Sequence, residues 1–179
     1  MAVLEKAILG GGCFWCTEAS FQNLNGVSSV VSGYMGGSIK NPCYREICTG
    51  TTGHAEVIAI DYDPSVISFE NILEVFWTVH DPTTLNQQGA DKGTQYRSVV
   101  FYTNDNQRAK TNDSIKNVAS KIWDNPIVTE VSPAEVFYPA EENHQNYYNN
   151  NGMKGYCRIV IDPKVAKVRQ NFKHLLKQD

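Results

Sequence analysis

The sequence predicts an α+β fold: a two-layer α/β sandwich with a ferredoxin-like core and long loops. Three observations predict it. Strand-like runs and helical patterns follow one another in the order βαβ…βα…βα…β…βα. The connections between them are long and irregular, which argues against a doubly wound sheet. And 179 residues, 41% of them hydrophobic and 20% charged, suffice for a single domain spanning 1–179 around one core.

Each element follows from its residues. Ala7-Ile8-Leu9 reads as a buried strand ending in the turn-forming Gly10-Gly11-Gly12. A helix is expected from about Cys13 to Leu24, closed by Asn25-Gly26. Val27 to Ser32 suggests a second strand, and Gly33 to Gly53, rich in Gly, Asn and Pro, a long loop of the functional kind. Ala55 to Tyr62 alternates and is rich in β-branched residues, so it is a strand, ended by Asp63-Pro64. Phe69, Ile72, Leu73 and Phe76 lie at helical spacing behind Ser68, a good N-cap, and Asp81-Pro82 stops that helix. A polar loop runs to Gln95, Tyr96 to Thr103 reads as a strand, and Asp105 to Trp123 as a polar helix. Ile127 to Val131 and Ala134 to Tyr138 look like strand pieces, and Tyr156 to Ile161 like a last strand. Pro163 then opens a terminal helix with Val165, Val168, Phe172, Leu175 and Leu176 on one face.

Composition excludes several function classes. Lys and Arg total 16 against 19 Asp and Glu, so the net charge is −3 and no basic block offers a footprint for nucleic acid. No apolar run approaches the roughly 20 residues that span a bilayer, and the first residues do not read as a secretory signal. A soluble, cytoplasmic protein is expected. The five cysteines, an odd number, do not read as a secreted disulfide framework. Four of them (Cys13, Cys16, Cys43, Cys48) crowd the first 48 residues, and the fifth is Cys157.

Cys13 follows three glycines and is expected at the first turn of a helix, where free N–H groups and the helix dipole favour an anion. A thiol of ordinary pKa near about 8.5 is pushed toward thiolate at such a place. Phe14 and Trp15 follow it directly; two such rings are usually core, but beside a reactive thiol they would wall a small apolar pocket for a methyl or thioether group.

Gly12-Cys13-Phe14-Trp15 with Thr17-Glu18-Ala19 resembles the active-site motif of the peptide methionine sulfoxide reductase A family. The likeness continues in order through Gly33-Tyr34, Tyr44-Arg45-Glu46 with Cys48, and Thr52-Gly53-His54-Ala55-Glu56-Val57. It then takes in Phe76-Trp77, His80-Asp81-Pro82-Thr83, Asp91, and Gly93 to Ser98. Phe137-Tyr138, His144-Gln145, Tyr147-Tyr148 and Gly155-Tyr156-Cys157 complete it, so nearly the whole chain is covered.

The resemblance implies a thiol-dependent enzyme that reduces methionine-(S)-sulfoxide, free or in oxidised proteins, without a metal or other cofactor. Cys13 is then the nucleophile and Glu56 the general acid that protonates the leaving oxygen. Tyr44 and Tyr96 would hydrogen-bond that oxygen, Asp91 would support the site through the substrate backbone, and Phe14 and Trp15 would take the methyl group. The Cys13 sulfenic acid would condense with a second thiol, and thioredoxin would reduce the disulfide. Cys157 matches the family's first resolving cysteine and is preferred, brought in by a mobile Gly152 to Gly155 loop. Cys16, which stands where most of the family has Gly, is the alternative, because Cys13-x-x-Cys16 has redox-motif spacing. Cys48 is expected to be buried, and Cys43, where the family commonly has Thr, has no functional account.

Two rivals remain open on the residues alone. Cys13, Cys16, Cys43 and Cys48 have tolerable spacing for a zinc-binding structural module. Cys13 with His54 or His144 as base would make a cysteine hydrolase.

Overall fold

The computed structural model describes residues 3–177. Strands β1 (Glu5–Gly11), β2 (Val27–Met35), β3 (Ala55–Tyr62), β4 (Ser98–Tyr102), β5 (Glu130–Pro133) and β6 (Tyr138–Pro139) form one sheet. Their spatial order is β5-β4-β1-β3-β2-β6, antiparallel except where β4 meets β5. The principal helices are α1 (Phe14–Phe21), α2 (Tyr44–Ile47), α3 (Phe69–Val79), α4 (Asp105–Ser114) and α5 (Asp162–Asn171); Ser120–Ile122 and Tyr147–Asn150 are short helical turns. With α1 joining β1 to β2 and α3 joining β3 to β4, the four central strands and two helices make the split βαβ arrangement of a ferredoxin-like core.

The expected Ala55 to Tyr62 strand has the predicted bounds, and its alternation decides where the chemistry goes. Ala55, Val57 and Ala59 pack with Ile8, Met35, Val99 and Phe101 on one face of the sheet. Ile58, Ile60 and Tyr62 point the other way, into the larger core with Phe14, Phe21, Leu73, Phe76 and Trp77. A two-residue period therefore puts Glu56 on the helix-covered face, at the end of β3 nearest the start of α1. Each large apolar side chain fully withdrawn from water there contributes about 1.5–3 kcal/mol. The Ser68 hydroxyl caps α3 by accepting the Asn71 N–H at 3.0 Å, and the Trp77 indole donates to Ser114 Oγ at 2.8 Å, tying α3 to α4.

Several boundaries differ from expectation. The first helix ends at Phe21, because Leu24 leaves it to bridge Leu176 near the other end of the chain. Gly33 to Met35 extend β2 rather than opening a loop, and within that loop Tyr44–Ile47 is a short helix. Tyr96 sits in a 3-10 turn, so its strand begins only at Ser98. In the polar stretch before it, Gln87–Gln88 pairs with Asp91–Lys92 as a small hairpin.

The largest correction concerns the expected strand from Tyr156 to Ile161, which is helical. Cys157–Ile161 is a π-turn continuous with α5, and Pro163 lies inside this helix instead of opening it. Cys157 and Ile161 are buried while Ile159 is 77% exposed, a helical rather than alternating pattern. The Asp162 N–H bonds to the Cys157 carbonyl five residues back, and Pro163, which has no N–H to give, follows directly on this wider turn.

Candidate active site

Cys13 is the N-cap of α1, in extended backbone, directly after the glycine run. Gly12 turns the chain at φ 97°, and a Cβ there would meet the Gln88 side chain at 2.7 Å, so this approach requires glycine. The turn sets the Cys13 thiol, 7% exposed, at the wall of a cavity of about 200 Å³. Cys16, Gln88, Asp91, Tyr156 and Lys164 line the same cavity.

Glu56 is 1% exposed. Its Oε1 accepts the Phe14 N–H at 3.1 Å, in the first turn of α1, and its Oε2 has no hydrogen-bond partner. Burial pushes this carboxyl up to about 8, the Phe14 N–H pulling against it and the charges of Asp91 and Cys16 adding to it. At neutral pH the group is therefore mainly a carboxylic acid. Tyr44 and Tyr96 are both half-buried. Burial first and the neighbouring Glu56 next raise both phenols well above their ordinary range, so they stay protonated donors around that carboxyl.

The rings form a stacked group. Tyr147 lies on Trp15 at 3.8 Å and 7°, His144 faces Tyr44 at 4.2 Å, and Phe14 sits 5.6 Å from Tyr34. The Trp15 indole N–H donates to His144 Nδ1 at 3.2 Å. Phe14 is fully buried, so it forms the inner side of this group, whereas Trp15 is partly exposed.

The thiols depart from the dipole argument. Burial, the hydrogen bond to Cys16 and the nearby Glu56 hold the Cys13 thiol well above its ordinary value. Cys16 receives that bond from Cys13, lies near Lys164 and the Tyr156 hydroxyl, and is lowered to about 7. The two thiols titrate as a pair, with Cys13 the harder and Cys16 the easier of the two to ionise. Cys157, fully buried, packs in the same cluster as Cys13 and Cys16, and the charge of Cys16 is among the causes that raise its thiol, after burial and Asp162.

Cys43 and Cys48 stand apart from this cluster, and both are exposed. Cys48 was expected to be buried; it is the C-cap of α2, its N–H bonded to the Tyr44 carbonyl at 3.0 Å. Cys43 has a structural account: its sulfur accepts the Glu46 N–H while the Glu46 carboxylate accepts the Cys43 N–H at 3.1 Å, a capping box. Among the described residues no group of three His, Cys, Asp or Glu is placed to hold a metal ion, so the four thiolates of the zinc reading do not converge. The hydrolase reading lacks its base as well. His54 accepts the Gly37 N–H and bonds the Ile39 carbonyl, and His144 is taken by Trp15.

Sequence reasoning passed over Tyr156, Tyr147 and Lys164. The Tyr156 hydroxyl donates to Asp91 Oδ2 at 3.0 Å and lies 3.7 Å from Cys16 Sγ. The two tyrosines stood within matched segments, which was the available signal; Lys164 had none.

An α+β fold that gathers three thiols beside a protonated buried acid is equipped for sulfur redox chemistry, and the class it defines is the thiol-dependent oxidoreductases. The family model described as peptide methionine sulfoxide reductase matches residues 5–176. A Chromobacterium violaceum protein named peptide methionine sulfoxide reductase MsrA is 55% identical over 174 residues, covering 97% of this chain and 99% of that protein. Among solved structures, Mxr1 from Saccharomyces cerevisiae in reduced form aligns with a TM-score of 0.79 at 34% identity, covering 86% of this chain and 89% of that one. Mxr1 in complex with Trx2 aligns with a TM-score of 0.55 at 25% identity, covering 80% and 84%. The chain belongs to the peptide methionine sulfoxide reductase family. Among the described residues no helix is long and apolar enough to cross a membrane.

Proposed function

We propose that this enzyme reduces methionine-(S)-sulfoxide, free or within oxidised proteins, with Cys13 as nucleophile and Glu56 as general acid. The observation that carries this reading is Glu56 Oε2, a buried carboxyl oxygen without a partner on a group that keeps its proton up to about 8. A sulfoxide oxygen is basic and gains charge as its sulfur is attacked, so it is the acceptor this proton suits. Tyr44 and Tyr96 add two O–H donors to the same oxygen, Phe14 and Trp15 take the methyl group, and Asp91 takes a backbone N–H of the substrate. A pocket of fixed handedness selects one sulfoxide epimer.

The proton on Cys13 moves to the Cys16 thiolate as the Cys13 sulfur attacks, and Glu56 delivers its own proton to the oxygen. The S–O bond of the substrate breaks and an S–O bond to Cys13 forms, leaving methionine, a Cys13 sulfenic acid, a Cys16 thiol and a Glu56 carboxylate. Cys16 then displaces water from the sulfenic acid to form the Cys13–Cys16 disulfide. We place Cys16 first and Cys157 second, the reverse of the preference read from sequence. The placing of Cys16 one turn from Cys13, with its N–H on the Cys13 carbonyl at 3.0 Å, supports this order, as does the burial of Cys157 within a helix. Cys157 next attacks the Cys16 sulfur, Cys13 leaves as thiolate and takes the proton Cys157 gives up, and thioredoxin reduces the remaining disulfide. The enzyme acts as a single cytoplasmic catalytic domain.

Incubation with racemic methionine sulfoxide and a dithiol, each epimer followed separately, tests the reading. Consumption of the S epimer alone is expected. Loss of the R epimer, or no methionine at all, overturns it.

A further inference from the structure

We propose that Tyr156 is a positioning residue that holds Cys157 back until the substrate occupies Asp91. The inference rests on the reading that Cys157 takes over the disulfide from Cys16.

Tyr156 immediately precedes Cys157 at the start of the helical run that continues into α5. Its hydroxyl donates to Asp91 Oδ2 at 3.0 Å, and Cys16 Sγ lies 3.7 Å away. Its ring stands edge-on to Trp15 at 5.8 Å. One side chain thus touches the carboxylate assigned to the substrate backbone, the first resolving sulfur and a wall of the methyl pocket. The chain just before it is lightly held. Met153 is 80% exposed, and nothing lies within 4 Å of where a Cβ on Gly155 would be. The Tyr156 hydroxyl is accordingly what pins this first turn to the hairpin that carries Asp91.

Asp91 Oδ2 is then shared by two donors that compete for it. A substrate amide N–H that takes the carboxylate deprives the Tyr156 hydroxyl of its charged acceptor. The first turn loosens, and the Cys157 sulfur gains room to approach Cys16. Substrate arrival at one edge of the site therefore prepares the thiol needed two steps later. In the resting enzyme Cys157 is fully buried, and the same bond helps keep it so.

The test is the rate at which a small alkylating reagent modifies Cys157 in the reduced enzyme, followed by peptide mass spectrometry. Tyr156→Phe keeps the ring and should raise that rate about tenfold, as expected for loss of one hydrogen bond to a charged acceptor. N-acetylmethioninamide, which offers the backbone amide but no oxygen to transfer, should raise the wild-type rate similarly and add little in the variant. Asp91→Ala, as a second variant, should also raise it. Equal alkylation of wild type and Tyr156→Phe, or equal acceleration of both by the amide, overturns the proposal. Methionine released in a single turnover is measured in parallel: its absence from wild type would indict the proposed function, whereas alkylation reads the Tyr156 bond independently.

Discussion

Glu56→Gln separates the acid from its geometry. The amide oxygen can still accept the Phe14 N–H, as Oε1 does at 3.1 Å, so the start of α1 keeps its anchor while the titratable proton is gone. Burial moves the carboxyl from 4.5 to about 8 in the folded chain. Each pKa unit is about 1.4 kcal/mol, so the gap amounts to roughly 5 kcal/mol of stability that depends on pH. The sign follows from proton binding. Below the unfolded value both states hold the proton; as pH rises from there to about 8 only the folded state keeps it, and stability falls until the folded group ionises as well. Wild type should therefore lose stability across that window, while Glu56→Gln should not. By alkaline pH the variant should melt on the order of 10 °C higher relative to wild type than it does at acid pH. Activity should move oppositely, with single-turnover methionine formation slowed by roughly a hundredfold to ten-thousandfold. In wild type that rate should rise as Cys16 ionises through about 7 and fall as Glu56 ionises through about 8. The alkaline limb should vanish in the variant. Parallel melting curves against pH, or an alkaline limb that survives in Glu56→Gln, would refute the reasoning.

The thiols give a sharper comparison. Cys13→Ser should abolish methionine formation with any reductant, as product analysis will show. Cys16→Ser should slow the first turnover, because the thiolate that takes the Cys13 proton is gone, and should leave the sulfenic acid on Cys13 long-lived enough to be captured by a dimedone-type probe, whereas Cys157→Ser should accumulate the Cys13–Cys16 disulfide and lose only thioredoxin-driven turnover. Ser68→Ala removes the hydroxyl that accepts the Asn71 N–H and should cost about 1 kcal/mol in urea unfolding without changing the first turnover. Gly33→Ala would drive a Cβ to 2.4 Å from the Phe137 ring and 2.6 Å from the Tyr138 carbonyl, destabilising the β2–β6 contact by about 1–3 kcal/mol in the same assay.

What the residues disclose on their own depends on how far each signal reaches along the chain. Ala55 to Tyr62 was legible because alternation and a terminating Asp-Pro are local, and strand parity then settles the face on which Glu56 lies. The start of α1 was legible for the same reason. Ile159-Val160-Ile161 was not, since a short apolar run suits a strand or a helix equally, and only packing decides. Here the burial of Cys157 and Ile161 against the thiol cluster, with Ile159 left in water, made it helical. The thiol chemistry divides along the same line. The motif that makes Cys13 the candidate nucleophile is written within four consecutive residues. Which sulfur answers it is not, because that depends on contacts such as Cys16 with Tyr156, 140 residues apart, and on the charge of Lys164. The helix dipole likewise does not by itself decide the Cys13 thiol, because a helix N-terminus fixes only one contribution to a thiol's acidity. Burial and the neighbouring Cys16 and Glu56 push the other way, and all three are properties of the folded chain alone.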